Sequence, residues 1–98
     1  MRPNKLSAAA LGLALEGLPG WALTEDQLAL SRSFRFADFK AAFAFMTRIA
    51  EFAEALDHHP DWSNSYNRVD VLLTTHDQGG VTELDVRLAR ECNEALDS

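Results

Sequence analysis

The chain has 98 residues, 47% of them apolar, and its nine basic against fifteen acidic side chains leave a net charge of −6. That is room for one compact domain, residues 1–98, with a core that needs no metal or disulfide staple. Scattered Arg and Lys on an acidic chain argue against nucleic-acid binding, which needs a positive surface to neutralise phosphates, and no segment approaches the length of a membrane span.

Residues 1–5 lack the apolar run of a secretion signal. The single cysteine, Cys92, cannot close an intrachain bridge. Both point to a reducing compartment, the cytoplasm. Ser7 is placed to cap a first helix, with Leu6 and Leu11 as its hydrophobic staple and Leu11, Ala14, Leu15 and Leu18 as its apolar face. Gly17 and Pro19 stop it. Residues 21–23 can form a short strand and residues 24–27 a turn.

Residues 28–36 read as a strand with Phe34 and Phe36 on one face. Arg32 falls on that same apolar side, so it must snorkel or lie at a sheet edge. Residues 38–56 form the strongest helix. Phe39, Phe43, Met46, Ala50 and Ala53 make one stripe; Phe45, Ile49, Phe52 and Leu56 make a second beside it. So broad an apolar face must cover a sheet, a partner subunit, or both; core packing is a far commoner reason for it than a cofactor.

Residues 57–65 read as a loop or short strand, and residues 66–76 as a clear strand with Val69, Val71 and Leu73 facing one way. Gly79-Gly80 makes a turn. Thr82 caps the last helix, with Asp85 at the capping-box position and Val81 and Val86 as staple. Leu88, Ala89, Cys92 and Leu96 give that helix its apolar face. Too few helices separate the strands for a doubly wound parallel sheet. An α+β fold is expected: a four-stranded antiparallel sheet with three helices packed on one face.

All three histidines fall in one short stretch: His58 and His59 before Pro60, and His76 at the end of the strand. They titrate near neutral pH, which suits general acid–base chemistry. Pro60 biases His59 toward extended backbone, where neighbouring side chains point to opposite sides, so the pair shares one pocket only if the chain turns. Zinc is a rival, with Asp57, Asp61 and Asp77 at hand, but adjacent histidines are not the usual ligand spacing and no metal is expected. A nucleophilic triad is less apt, because Cys92 lies on an apolar helix face and no serine sits on an elbow turn.

Glu54, His58-His59-Pro60, Tyr66, His76 and Asp85 stand in the order and spacing of a known signature. Five residues separate Pro60 from Tyr66, nine separate Tyr66 from His76, and eight separate His76 from Asp85. The whole run 54–77, the turn at residues 18–21 and the passage at residues 34–39 are also similar. The chain resembles the pterin-4a-carbinolamine dehydratase family over nearly its full length. Leu84 departs from the charged residue of some members, and Ser63 and Ser65 from apolar ones.

The resemblance implies helices on one side of a four-stranded antiparallel sheet. It implies dehydration of 4a-hydroxytetrahydropterin to quinonoid dihydropterin, with no cofactor, in the recycling that follows an aromatic amino-acid hydroxylase. It makes His58, His59 and His76 the catalytic histidines, acid and base unassigned among them. Pro60, Thr75, Asp77 and Gln78 join the histidines in lining the pterin site. Glu54 and Asp57 are expected to orient histidines or meet the amino-pyrimidine edge, and Trp62 to stack on the ring or wall the pocket. Asp85, a supporting residue, is explained by its capping box, with a direct catalytic role as the alternative. A homodimer or homotetramer, formed through the sheet edge or the long helix, is expected. The alternative function is a dimerisation module acting as a transcription coactivator, as in some animal members of the family.

Overall fold

The computed structural model describes residues 3–96; Met1 and Arg2, at the start of the stretch read for a secretion signal, and Asp97 and Ser98 lie outside the described residues. The elements follow in the order α1 (Ala8–Glu16), β1 (Ala22–Leu23), β2 (Leu30–Arg35), α2 (Phe39–Leu56), β3 (Asp61–Ser65), β4 (Arg68–Leu73), a 3-10 turn (His76–Gln78) and α3 (Glu83–Leu96). The strands pair antiparallel in the order β1-β2-β4-β3.

Each helix starts where a short polar side chain satisfies an orphan backbone donor. Ser7 Oγ accepts from the Ala10 N–H at 3.1 Å, and the Asp38 carboxylate from the Ala41 N–H at 2.8 Å. At α3 the reach-back is the reverse: the Thr82 N–H donates to Asp85 Oδ2 at 2.9 Å, the second half of a capping box. Gly17 ends α1. Asp57 ends α2 in the left-handed region (φ 53°), which a short polar residue tolerates.

The sheet alternates strictly. Leu30 and Phe34 of β2 and Val69, Val71 and Leu73 of β4 are buried, in one core with Leu11 of α1, Ala42, Phe45, Ile49 and Ala53 of α2, and Val86, Leu88, Ala89 and Cys92 of α3. The four strands and three helices are those expected from the sequence. The opposite face carries Ser31, Ser33, Asp61, Ser63 and Asp70, in register across three strands.

Element ends differ from the sequence reading, for local reasons. β2 begins at Leu30 rather than Leu28, because Gln27 takes a left-handed turn (φ 62°) and the Leu28 N–H is held by Asp26. It ends before Phe36, whose N–H donates to the Asn67 carbonyl at 2.8 Å. Tyr66 is not in a strand. Ser65 pairs with Arg68, which leaves Tyr66 and Asn67 as a two-residue hairpin turn with Tyr66 at φ 52°. No glycine marks that turn; Asn64 stabilises it by donating to the Tyr66 and Arg68 carbonyls. Of the two α2 stripes, the first is largely outside the core: Phe39 and Phe43 are 47% and 53% exposed, and Ala50 is exposed. At the end of α3, Leu96 is 40% exposed.

Arg32 faces the helices, as its position in the alternation requires, and is satisfied there. Its guanidinium carbon lies 4.6 Å from the centre of the Phe34 ring. Its Nη1 donates to the Pro19 carbonyl at 2.9 Å and to Asn93 Oδ1 at 2.6 Å. Asn93 Oδ1 also accepts from Trp21 Nε1 at 2.9 Å, and its Nδ2 donates to the Pro19 carbonyl at 3.1 Å. The backbone at Gly20 (φ 86°) passes so close that a Cβ there would sit 2.6 Å from the guanidinium. This network joins the turn after α1, strand β2 and α3. Asn93→Ala strips it of its shared partner and is expected to lower unfolding stability by about 1–3 kcal/mol. Urea denaturation reads this as a lower midpoint at unchanged slope; an unmoved midpoint would mean the network contributes nothing.

Candidate active site

The register of one hairpin sets the geometry. Asp61 opens β3 opposite Leu72 near the end of β4, so residues 58–60 and 74–76 leave the sheet at the same end. The alternation continues past the strand ends. His58 and Thr75 are buried, at 5% and 1% exposure, while His59 and His76 are exposed. Adjacent histidines thus part company.

His58 meets Asp85, which is 0% exposed, through Nε2 and Oδ1 at 2.5 Å. Oδ2 of the same carboxylate accepts from the Thr75 hydroxyl at 2.8 Å and from the Thr82 N–H. Because Thr75 spends its proton on Asp85, the Thr82 hydroxyl donates to Thr75 Oγ at 2.8 Å. A carboxylate so placed is an acceptor, which makes His58 Nε2 the donor. The His58 N–H donates to the Ala53 carbonyl at 3.1 Å, fixing the residue to the end of α2. Among the described residues no buried side-chain polar atom lacks a partner.

His59 pairs with Glu54 through Nε2 and Oε2 at 2.5 Å, both at the surface. Asp57 is the exposed end residue of α2, and Pro60 is half-buried between His59 and β3. His76 opens the 3-10 turn, followed by exposed Asp77 and half-buried Gln78; the Gly79 N–H closes the turn on the His76 carbonyl at 3.0 Å. Thr75 and Gly80 bridge its two ends.

The His76 side chain lines a cavity of about 250 Å³, with Leu28, Asp61, Leu72, Thr74 and the Gly79-Gly80 backbone among its walls. A larger hollow of about 420 Å³ lies over the open face of the sheet and shares Asp61 and Leu72 with it, but no histidine lines it. Trp62 packs half-buried against the core and borders that hollow, not the His76 cavity.

Two residues gain a role that the sequence reading did not give them. Asp61 was weighed only as a metal ligand; it lines the His76 cavity. Thr82 was read only as a cap; it completes the buried cluster. Asp61 owes its place to the alternation along β3, and Thr82 to the turn that brings the start of α3 against Thr75. No three His, Cys, Asp or Glu among the described residues stand close enough to hold a metal. Cys92 is buried, and burial pushes its thiol up to about 12, which leaves it no thiolate character at neutral pH. No described helix is long and apolar enough to cross a membrane.

Fold and site together define a small α+β protein in which histidine–carboxylate pairs gather at one end of an antiparallel sheet. Residues 4–95 match the family model for pterin 4 alpha carbinolamine dehydratase, and the chain belongs to that family. It is 60% identical over 85 residues to a Bordetella avium protein provisionally named pterin-4-alpha-carbinolamine dehydratase, covering 87% of this chain and 79% of that one. A Brucella ovis protein with the same provisional name is 50% identical over 93 residues, 95% of this chain and 96% of that one. The crystal structure of a transcriptional coactivator/pterin dehydratase from Brucella melitensis superposes with a TM-score of 0.91 at 50% identity, over 94% of this chain and 98% of that one.

Asp85→Ala would leave three buried donors without their acceptor: His58 Nε2–H, the Thr75 hydroxyl and the Thr82 N–H. At about 1 kcal/mol or more for each orphaned donor, the expected loss of stability is at least about 3 kcal/mol. Thermal or urea unfolding measures it, and a loss under about 1 kcal/mol would mean the cluster is not the anchor its geometry describes.

Proposed function

We propose that this chain eliminates water from a 4a-hydroxytetrahydropterin. In that reaction the C4a–O bond breaks, the hydroxyl leaves with an added proton, N5 loses its hydrogen, and a C4a–N5 double bond forms. The products are quinonoid dihydropterin and water. One acid and one base suffice, so the reading needs no cofactor and no metal. The observation that carries it is that the segment bearing the histidine pair and the segment bearing His76 leave the β3–β4 hairpin at the same end, in a chain that belongs to this family.

The division of labour follows exposure. His59 and His76 face solvent and can exchange protons with a bound substrate and with water. Glu54 holds the His59 ring through Oε2. His58 is the buried partner of Asp85; it fixes the loop from beneath, and Thr75 ties the His76 segment to the same carboxylate. On this reading the reaction belongs to tetrahydropterin recycling, after an aromatic amino-acid hydroxylase. The lone buried thiol suits a reducing compartment, the cytoplasm.

Self-association is the second part of the reading. Phe39 and Phe43, ring centres 5.6 Å apart, stand exposed on α2. Exposed paired aromatics of this kind favour burial against another copy, in a homodimer or homotetramer. The Brucella melitensis relative's description as a coactivator keeps an interaction role as the alternative.

Enzymatically generated 4a-hydroxytetrahydropterin should disappear faster with the protein than in buffer, and no acceleration at neutral pH would refute the dehydratase reading. His59→Ala and His76→Ala are each expected to slow the step at least about tenfold, in line with a lost acid–base group; wild-type rates would remove these imidazoles from the mechanism. Sedimentation velocity at micromolar concentration should show a dimer or larger that Phe43→Glu disperses. A monomer alone in the wild type would count against assembly.

A further inference from the structure

We propose that Asp61 is the carboxylate that reads the amidine-like edge of the pterin, its N3–H and 2-amino group. This deepens the dehydratase reading and rests on the pterin ring lying beside His76. Three other carboxylates near the site have work already. Glu54 is bound to His59, and Asp85 is buried under three donors. Asp26, also on the cavity, accepts at one oxygen from Thr24 Oγ at 2.6 Å and from the Leu28 N–H at 3.0 Å, holding the turn before β2. Those bonds keep its carboxyl below its ordinary value.

Asp61 differs in each respect. It lines the His76 cavity, it is exposed, and its carboxylate accepts no hydrogen bond among the described residues. Its backbone is locked in register opposite Leu72, so the carboxylate stands on a strand rather than a loop. Leu28 and Leu72 supply apolar walls for the faces of a flat ring, and Gly79-Gly80 leaves backbone uncovered beside it. The cavity, about 250 Å³, is in keeping with a ligand of two fused rings. Two parallel N–H donors on one edge of such a ring match a carboxylate in the two-pronged way that a guanidinium does. A pteridine with a 2-oxo group in place of the 2-amino group would turn a carbonyl against the same carboxylate, so the site selects by repulsion as well as attraction.

The test compares 6-methylpterin with 6-methyllumazine, its 2-oxo counterpart, by fluorescence titration of wild type, Asp61→Asn and Asp70→Asn. Asp70 lies on the same sheet face, bonded to Ser33 and Arg68, and lines no part of the His76 cavity. Wild type and Asp70→Asn are expected to bind the pterin at least about tenfold more tightly than the lumazine, and Asp61→Asn to lose most of that difference. Asp61 is exposed and the replacement is isosteric; matching circular dichroism confirms the fold. Undiminished discrimination in Asp61→Asn, or none in the wild type, overturns the proposal. The wild-type dehydration rate is measured alongside. Turnover with an indifferent Asp61→Asn sinks the Asp61 assignment and leaves the dehydratase reading standing. Loss of discrimination in Asp61→Asn with no wild-type turnover supports Asp61 as the reader and sinks the catalytic reading.

Discussion

A buried carboxylate holds this molecule's candidate site together. Asp85 has no exposure to water, yet its two oxygens meet an imidazole, a hydroxyl and a backbone N–H from three separate parts of the chain. A charge in such a place is tolerated only when every lone pair it turns inward has a donor. The same requirement brings the start of α3, the end of β4 and the segment after α2 to one point. His59 and His76 are each one residue from a member of that cluster, so its rigidity is passed to them through a single peptide unit.

The sheet does the sorting. A period of two along β3 and β4 sends one residue inward and the next outward, and the rule persists past the last ladder hydrogen bond. His58 and Thr75 therefore go to the core, where Asp85 waits. Thr74 and Asp61 go to the His76 cavity. The result separates neighbouring histidines into one that anchors and one that faces solvent. It also leaves a polar face of serines and aspartates uncovered, continuous with the cavity through Asp61 and Leu72.

Much of this was legible in the chain. The starts of α1 and α3 were plain because Ser7, Thr82 and Asp85 are short polar groups placed for capping, and Ser7 and Asp85 make the bonds their positions promise. Arg32 on an apolar stripe announced either a snorkelling side chain or a sheet edge, and its partners proved to be a carbonyl and an asparagine 61 residues away. Strand ends were less clear. The left-handed turn at Tyr66 carries no glycine, so nothing local marked it. The α2 helix is apolar on too many sides for its pattern to say which one meets the sheet; packing chose Ala42, Phe45, Ile49 and Ala53 and left Phe39 and Phe43 outside.

The sequence by itself determined the elements, the antiparallel arrangement and the three imidazoles with their spaced companions, because caps, hydrophobic periods and motif spacing act over a few residues or are read directly from order. Only the tertiary structure decided that His58 is buried and His59 is not, that Asp85 is an anchor as well as a cap, and that Asp61 faces the cavity of His76. Those outcomes depend on cross-strand register and on contacts between segments up to 27 residues apart, and a one-residue slip in register would have reversed every one of the facings.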